Sequence, residues 1–427
     1  MSRGLGDVYK RQVEGFKVKG NVKTKDYVVT REMKLKKGEP FNAKAARRSM
    51  QRVYNLGYFE DVNIKLNPGR EPNGVEVEIS VVEMNTGTFG IGAGYSNADG
   101  FVGMVSIGDK NFRGIGDKIN LRWEFGGEDN KNYDFSYTRP WLDDKETSAT
   151  INLYDITNEY ADYNIDGDEI ARYDKKRRGQ EITFSRRTHN EFVSNYITIK
   201  NRDDIYKGEA DGYEGDENQY YEDKFNQSSK YESWMPKTAA ERRKENFGVT
   251  RSITFGRVYD SRDNIYDPHE GKRIGYSVEW AGGMGGDFDF TKWTADWRYY
   301  FRAGGESVWA LNLGAGYASG DMPLSQRFTM GGSDTLRGYE DDQFRGNSML
   351  KATLEYRFPI VKKVQGVLFT DNGYAWDKRH EDEFDMGLLK NSYGVGLRIN
   401  SPLGPVKLDY GYGEDGGKFH FSFGGQF

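Results

Sequence analysis

The sequence predicts an all-β transmembrane barrel of about sixteen antiparallel strands, preceded by one small α+β module, on the basis of three observations. Segments of about ten residues alternate apolar and polar side chains from residue 85 to the end. Many of these segments carry Trp or Tyr near one end. When the connections between these segments are counted along the chain, no two consecutive connections are both long. Strands of a water-soluble sandwich run about six residues, so the length and the aromatic residues favour a membrane barrel.

The composition excludes several classes of protein. The 427 residues include 61 Lys and Arg, 66 Asp and Glu and no Cys, for a net charge of −5. Without a basic excess no nucleic-acid partner is expected, and without cysteine there is no disulfide scaffold, thiolate metal site or cysteine nucleophile. A mean hydropathy of −0.84 and the lack of any apolar run near the ~18 residues of a membrane helix exclude helical spans. Strands with every second residue facing lipid remain possible.

Residues 1–12 have neither the apolar core nor the small-residue cleavage site of a secretory signal. We interpret them as a non-native leader on a chain that begins inside a longer protein, and we exclude them from the fold prediction. The missing signal therefore carries no information about location.

Residues 13–84 predict one small domain with the order β-α-α-β-β. The strand-like run GFKVKGN is followed by two helical runs, KDYVVTREMKL and AKAARRSMQRVYNL. Asn42 can cap the second helix, and Gly57 stops it. Alternating residues at 62–66 and 75–81, joined by a turn-rich stretch, predict a hairpin.

Residues 85–427 lose the helical period and keep the two-residue period of strands. Ile119, Leu121, Trp123 and Phe125 alternate with polar side chains, and the segments 273–280 and 393–400 behave in the same way. One face of each segment is apolar and the other carries charge, as expected of a barrel with lipid outside.

The lengths of the connections give independent support. If the first strand rises from the side of the small domain, odd-numbered connections lie on the far side of the membrane. All the long connections are odd-numbered, and they cover residues 157–177, 201–245, 318–347 and 374–390. Even-numbered connections such as 111–116 are short, which is the asymmetry of periplasmic turns and external loops. The acidic, Tyr-rich segment 201–245 is interpreted as solvated loop cover, the alternative being a surface for an external partner.

Catalytic and metal-binding motifs are scarce, so no enzyme activity, cofactor or metal is predicted. HExxH, G-x-S-x-G and P-loop signatures are absent, and the histidines lie in separate segments at His189, His269, His380 and His420. The start of a calcium loop is matched by Asp162, Asn164, Asp166 and Gly167. Tyr173 replaces the bidentate Glu of such a loop, and no helices flank it, so solvated acidic residues are favoured and calcium is the alternative.

The most specific motif lies inside the long connection 318–347. Its residues are Phe328, Gly331, Gly332, Leu336, Arg337, Gly338 and Tyr339. A Gly-Gly turn and an Arg-Gly-aromatic tip predict a defined conformation for a loop of this length. In a partly desolvated lumen Arg337 needs a carboxylate partner, and Glu355 lies on the polar face of its strand.

This motif resembles the sixth-loop signature of the BamA-type superfamily of barrel-assembly and translocation proteins. The resemblance implies that the loop folds back into the barrel lumen, where the partners of Arg337 are Glu355, Phe369 and Asp371. Because Asp371 shares its strand parity with Val367 and Phe369, its direction rests on the resemblance alone.

Residues 13–84 resemble a POTRA domain, the periplasmic repeat that precedes this barrel, with Gly57-Tyr58-Phe59 in the expected place. The resemblance implies a barrel in the bacterial outer membrane and a POTRA domain in the periplasm. Because assembly proteins of this family carry several POTRA domains, a single one implies a C-terminal portion.

The first and last strands are both expected to be weak partners in barrel closure, because glycines remove cross-strand side-chain packing. The residues of this predicted lateral gate are Gly90, Gly92, Gly94, Phe421, Phe423, Gly424, Gly425 and Phe427. We expect the gate to open so that a client strand adds to the exposed edge. Tight curvature at a barrel corner is the alternative role for the glycines. An edge at residues 75–81 is expected to receive clients in the same way.

The favoured hypothesis is an assembly factor that folds and inserts β-barrel proteins into the outer membrane. Its expected partners are unfolded outer-membrane proteins, outer-membrane lipid and periplasmic accessory proteins. The alternative is a translocation pore or translocation-assembly factor of the same superfamily. A passive porin would explain neither the POTRA domain nor the Arg337 loop, and the sequence supplies no Ser/His/Asp cluster for an enzyme-bearing barrel.

Overall fold

The fold is described from a computed structural model of the chain. The residues described are 11–96, 100–126, 130–163, 169–209, 244, 247–265, 267–376, 386–401, 404–414 and 416–423. The chain forms two compact units. One contains the N-terminal domain together with residues 106–121 and 137–140, and the other contains the greater part of the sheet that follows.

The N-terminal domain has the predicted order β-α-α-β-β. Its elements are β1 (Gln12–Lys19), α1 (Asp26–Thr30), α2 (Ala43–Tyr54), β2 (Phe59–Pro68) and β3 (Gly74–Glu83). β3 pairs in parallel with β1 and antiparallel with β2. The prediction of an available edge at residues 75–81 is therefore wrong. Both edges of β3 are occupied because β1, distant in sequence, supplies its second partner.

The second helix forms as predicted, whereas the first is shorter. The Asn42 side chain accepts the backbone N–H groups of Lys44 and Ala45, at 2.9 and 3.2 Å, and so caps α2. α1 has only five residues and no side-chain cap at Lys25. Three of the five, at positions 28–30, are β-branched, which lowers helix propensity.

An apolar core joins both helices to the three-stranded sheet. Val28 and Val29 of α1, Val53 of α2 and Val77 and Ile79 of β3 are all fully buried. Burial of each such side chain stabilises the fold by about 1.5–3 kcal/mol. This core is what fixes the helices against the sheet.

The remaining chain forms the predicted sixteen-stranded antiparallel sheet, in which neighbouring strands follow chain order from β4 to β21. The first eight strands are β4 (Gly87–Ser96), β5 (Gly100–Phe112), β6 (Asp117–Gly126), β7 (Asn130–Arg139), β8 (Thr147–Tyr163), β9 (Glu169–Arg187), β10 (Val193–Glu209) and β11 (Gly248–Asp260). The last eight are β12 (Gly271–Gly286), β13 (Phe290–Gly304), β14 (Ser307–Gly320), β17 (Ser348–Val361), β18 (Val364–Trp376), β19 (Lys390–Ser401), β20 (Gly404–Gly413) and β21 (Gly416–Phe423). Two short strands, β15 (Phe328–Met330) and β16 (Phe344–Gly346), form a separate ladder.

Several strands run further than the apolar alternation predicts. The expected bounds of the connection 157–177 are wrong, because β8 and β9 stay paired as far as Tyr163 and Glu169, with Thr157 opposite Lys176. β10 similarly continues beyond Asn201 to Glu209. Both faces of these extensions carry polar side chains. The ladder continues there although the apolar alternation that predicts a strand is absent from the sequence.

The two faces of the sheet differ in polarity. Apolar side chains on the outer face are exposed, among them Leu121, Trp123, Ile182, Phe184 and Trp297. Such a face is suited to lipid. Within the described ranges, no helix combines the length and the apolar character needed to cross a membrane.

Candidate functional site: the Arg337 cluster

The long connection between β14 and β17 folds into an ordered structure. β15 and β16 pair antiparallel, with Met330 opposite Phe344. Between them the hydroxyl of Thr335 donates to the carbonyl oxygen of Gly331 at 2.7 Å and accepts from its N–H at 2.9 Å. Gly331 has φ of 121°, and a Cβ there would lie 2.1 Å from the carbonyl oxygen of Glu340. The turn therefore requires glycine at this position.

The side chain of Arg337 is buried and bound by carboxylates from three different strands. Nη1 donates to Glu355 of β17 at 2.7 Å, and Nε and Nη2 each donate to Asp371 of β18 at 2.8 Å. The backbone N–H of Arg337 also donates to Asp371, at 3.1 Å. Asp409 of β20 lies 3.5 Å from Nη1. This guanidinium thus links the loop to strands that are far apart in sequence.

An aromatic ring completes the site. The guanidinium carbon of Arg337 lies 3.4 Å from the centre of the Phe369 ring, close enough for a cation–π contact. Arg337 is 3% exposed, Glu355 is fully buried, and Asp371 is 1% exposed. The sequence-predicted partners Glu355, Phe369 and Asp371 are all brought together around this side chain.

The buried charges balance. Arg357 donates to Glu355 at 2.9 Å, and Arg398 donates to Glu355 at 3.1 Å and to Asp409 at 2.7 Å. Three arginines therefore face three carboxylates. Although burial lowers the pKa of Arg337, Glu355, Asp371 and Asp409 raise it well above its ordinary value. The loop arginine is thus a permanent cation.

The tip of the loop also contacts β19, β21 and the residue that follows β20. The N–H of Gly338 donates to Nε2 of His420 on β21 at 3.1 Å. The hydroxyl of Tyr339 donates to the carbonyl oxygen of Asn391 on β19 at 3.2 Å and accepts the N–H of Glu414 at 3.3 Å. Together with Arg337, these contacts join the loop to each of the five strands β17–β21.

Apolar packing supports the same tip. Leu336 and Tyr339 are buried in one cluster with Met330, Phe344 and Tyr374. The ring centres of Tyr339 and Phe344, and those of Phe344 and Tyr374, are 5.3 Å apart. The loop is thus fixed both by ions and by aromatic contacts.

The first arm of the loop is bonded to earlier strands. Lys292 of β13 donates to the carbonyl oxygen of Gln326 at 2.7 Å, and Arg202 of β10 donates to that of Ser325 at 3.1 Å. The predicted motif residue Phe328 is buried, with Nζ of Lys292 4.2 Å from its ring centre. The loop therefore has contacts from β10 to β21.

The predicted gate residues are only partly described. Gly90, Gly92 and Gly94 lie on β4, Phe421 and Phe423 lie on β21, and Phe421 is 63% exposed. Gly424, Gly425 and Phe427 lie outside the described residues, as do Asn164, Asp166 and Gly167 of the candidate calcium loop. Among the residues that are described, no group of three or more His, Asp or Glu side chains is arranged to hold a metal.

Four residues of the site were missed from the sequence: Arg357, Arg398, Asp409 and His420. Asp409 and Lys407 alternate with Leu408 and Tyr410 on β20. Charged residues that alternate with apolar ones on a strand face inward, so this pattern could have indicated Asp409 from the sequence. No sequence pattern indicated the hydrogen bond between Gly338 and His420, because that bond depends on where the loop lies.

Comparison with known proteins decides the family. The model of the Omp85 superfamily domain matches residues 111–427. The chain belongs to the Omp85 superfamily. The POTRA model, described as a surface antigen variable number repeat, matches residues 12–84. Family and fold together place this Omp85 protein in the bacterial outer membrane with its POTRA domain in the periplasm.

Curated relatives in the Omp85 superfamily are similar over most of this chain. It is 30% identical to the outer membrane protein assembly factor BamA of Nitratidesulfovibrio vulgaris, over 95% of this chain and 50% of that protein. It is 26% identical to the chloroplastic outer envelope protein 80 of Arabidopsis thaliana, over 94% and 54%. The chain therefore spans about half the length of these relatives.

Solved structures share the Omp85 fold. BamA from Haemophilus ducreyi lacking POTRA domains 1–3 matches with a TM-score of 0.57 and 19% identity, covering 96% of this chain and 83% of that one. CdiB from Acinetobacter baumannii matches with a TM-score of 0.61 and 15% identity, covering 95% and 70%. At these identities the likeness concerns the fold alone.

Proposed function

We propose that this protein folds and inserts β-barrel clients into the outer membrane through a lateral gate between β4 and β21. The observation that carries the proposal is the attachment of the Arg337 loop to all of β17–β21. These contacts hold β17–β21 in place on one side of the proposed gate, so that these five strands act as a fixed template. A curated relative named outer membrane protein assembly factor supports the same activity.

The strand on the opposite side of the proposed gate, β4, has a different composition. β4 contains glycine at positions 87, 90, 92 and 94 among its ten residues. Glycine adds no cross-strand packing and increases the freedom of the backbone. We infer that β4 is the strand that moves away, exposing an edge on which a client strand is completed by backbone hydrogen bonds before it meets lipid.

The POTRA domain would receive unfolded clients at β2. In the sheet order β1-β3-β2 this strand has one side without a neighbour among the described residues. Polar side chains protect such an edge from aggregation, and β2 carries four of them: Glu60, Asp61, Asn63 and Lys65. Client capture would therefore occur by strand addition in the periplasm.

The first experiment measures insertion of a urea-unfolded small barrel into liposomes that carry this protein, read by heat-modifiable gel mobility. Arg337→Ala is expected to lose the acceleration because β17–β21 lose their brace. Arg302→Ala is the matched control, since Arg302 is half-exposed and pairs only loosely with Glu270, at 3.7 Å. Absence of acceleration by the wild type would contradict the insertase proposal and favour translocation of a dedicated client.

A covalent clamp tests the gate itself. The chain has no cysteine, so paired substitutions can be introduced without background. We expect Ile91→Cys on β4, combined with Phe419→Cys or Phe421→Cys on β21, to abolish insertion when oxidised and to restore it on reduction. Full activity in the oxidised, cross-linked protein would contradict lateral opening, and either single cysteine is the control.

A further inference from the structure

The last strand of the sheet carries a titratable contact with the Arg337 loop. Nε2 of His420 accepts the N–H of Gly338, at 3.1 Å. His420 lies on the inward face of β21, opposite Asp409 in the ladder, whereas Phe419 and Phe421 on the same strand are exposed outward. The side chain is thus directed at the loop and away from lipid.

The loop backbone approaches the sheet closely at this point. Gly338 has φ of 97°, and a Cβ there would lie 2.8 Å from the backbone nitrogen of Gly413. A Cβ on Gly411 would lie 2.6 Å from the backbone nitrogen of Gly338. Two glycines therefore let the loop pass over β20 and present its N–H to the next strand.

Among the described residues, the loop has only one other polar contact with β21. It joins Lys418 to Glu340, two side chains that are 34% and 51% exposed. Exposed ion pairs contribute little, because water and salt screen them. The histidine is partly buried and its bond is directional, so it is the better candidate for holding β21 in place.

We infer that His420 is a positioning residue, which in its neutral form fastens β21 to the loop and on protonation releases it. The inference deepens the proposed lateral gate and rests on it for its functional meaning. A protonated imidazole has a donor on each nitrogen, so it cannot accept from Gly338. The contact is therefore present at higher pH and lost as the pH falls.

The surrounding charges come from every neighbouring element. Asp341, Glu340 and Arg337 face His420 from the loop, and Asp409 faces it from β20. Asp409 is already bonded to Arg398 and lies near Arg337. Burial raises the pKa of Asp341 in spite of the nearby His420. Once released from Gly338, a protonated His420 has Asp341 as its available acidic neighbour.

The test follows hydrogen exchange of residues 416–423 in the full chain, relative to the segment 290–304, at about pH 8 and about pH 5, on either side of the ordinary imidazole range. After correction for intrinsic rates, wild-type protection should fall roughly tenfold at low pH, the size expected for one hydrogen bond. His420→Gln retains an acceptor without titrating, so it should stay protected at both values. His420→Phe should be unprotected at both.

The controls separate this contact from general acid effects. Lys418→Met removes the other contact of the loop with β21 and should keep the wild-type pH response. A pH-independent wild type, or the same loss of protection in His420→Gln, would overturn the inference even if His420→Phe failed to fold. If exchange responds to pH as expected but no client is inserted at any pH, the positioning role stands and the proposed function falls.

Discussion

The POTRA domain and the interior of the barrel bury different chemistry. In the POTRA domain the side chains that join helices to sheet are apolar, such as Val53, Val77 and Ile79. In the barrel the equivalent position is taken by Arg337 among Glu355, Asp371 and Asp409. A barrel turns many of its apolar side chains outward to lipid, so ions and hydrogen bonds act beside the smaller aromatic cluster in fixing what lies inside.

The difference matters because the two kinds of interior fail differently. Truncating an apolar side chain removes contacts in proportion to the atoms lost. Removing one ion from a balanced cluster leaves its partners buried and uncompensated, which costs more than the pair itself contributes. The three predictions below compare these two costs.

The largest effect is expected for Arg337→Met, which leaves three buried carboxylates facing only Arg357 and Arg398. We expect a loss of about 3–5 kcal/mol, the usual cost of breaking a buried ion pair. It would be measured as a lower temperature for conversion of the folded to the unfolded gel band.

A second variant sharpens this prediction. Arg337→Met combined with Asp371→Asn should recover part of the loss, because the amide removes the charge that Arg337 had bound twice. If the double variant were as unstable as the sum of the two single ones, packing rather than charge balance would explain the site.

An intermediate effect is expected for Glu83, an ion in the POTRA domain. Its carboxylate accepts the backbone N–H groups of Val22, Lys23 and Thr24 at 2.7–2.9 Å. Although burial raises the pKa of Glu83, these hydrogen bonds lower it below its ordinary value. The stabilisation is therefore complete above the unfolded-state pKa of about 4.3 and is lost as the pH falls through the lower folded-state value.

Glu83→Gln should reproduce the acid form at neutral pH, with a cost of about 1–2 kcal/mol, since the site is partly solvated. Exchange protection at residues 22–24, followed from about pH 6 to about pH 3, is the measurement. Wild-type protection that did not decrease with acid, or a variant with an unchanged acid response, would contradict the role of this carboxylate.

The smallest effect is expected for Ile79→Val in the apolar core. Removing one methylene from a fully buried side chain should cost about 0.5–1.5 kcal/mol. Exchange of residues 74–83 reports it, with the exposed Val82 changed to Ala as the control. A cost equal to that of Arg337→Met would remove the contrast between the two interiors.

How much the sequence could predict depends on the range of the interactions. Local signals predicted the cap at Asn42, the sixteen strands and the inward direction of Glu355. Parity left Asp371 undecided because its strand also carries Phe369 inward, and that ring packs on the guanidinium. The position of β3 between two partners and the contact of His420 depend on residues distant in sequence, which no local pattern contains. The extended pairing of β8 with β9 is local, but its residues lack the apolar alternation by which the other strands were predicted.

The attachment of one loop to the five following strands has a consequence for how the protein itself folds. Arg337 is separated from Asp409 by 72 residues, and Gly338 from His420 by 82. Contacts across such separations form late, because the entropy of closing the intervening chain is lost before they are made. We therefore expect the ionic centre to remain unassembled until nearly the last hairpin is in place, so that its completion marks the end of the barrel's own maturation.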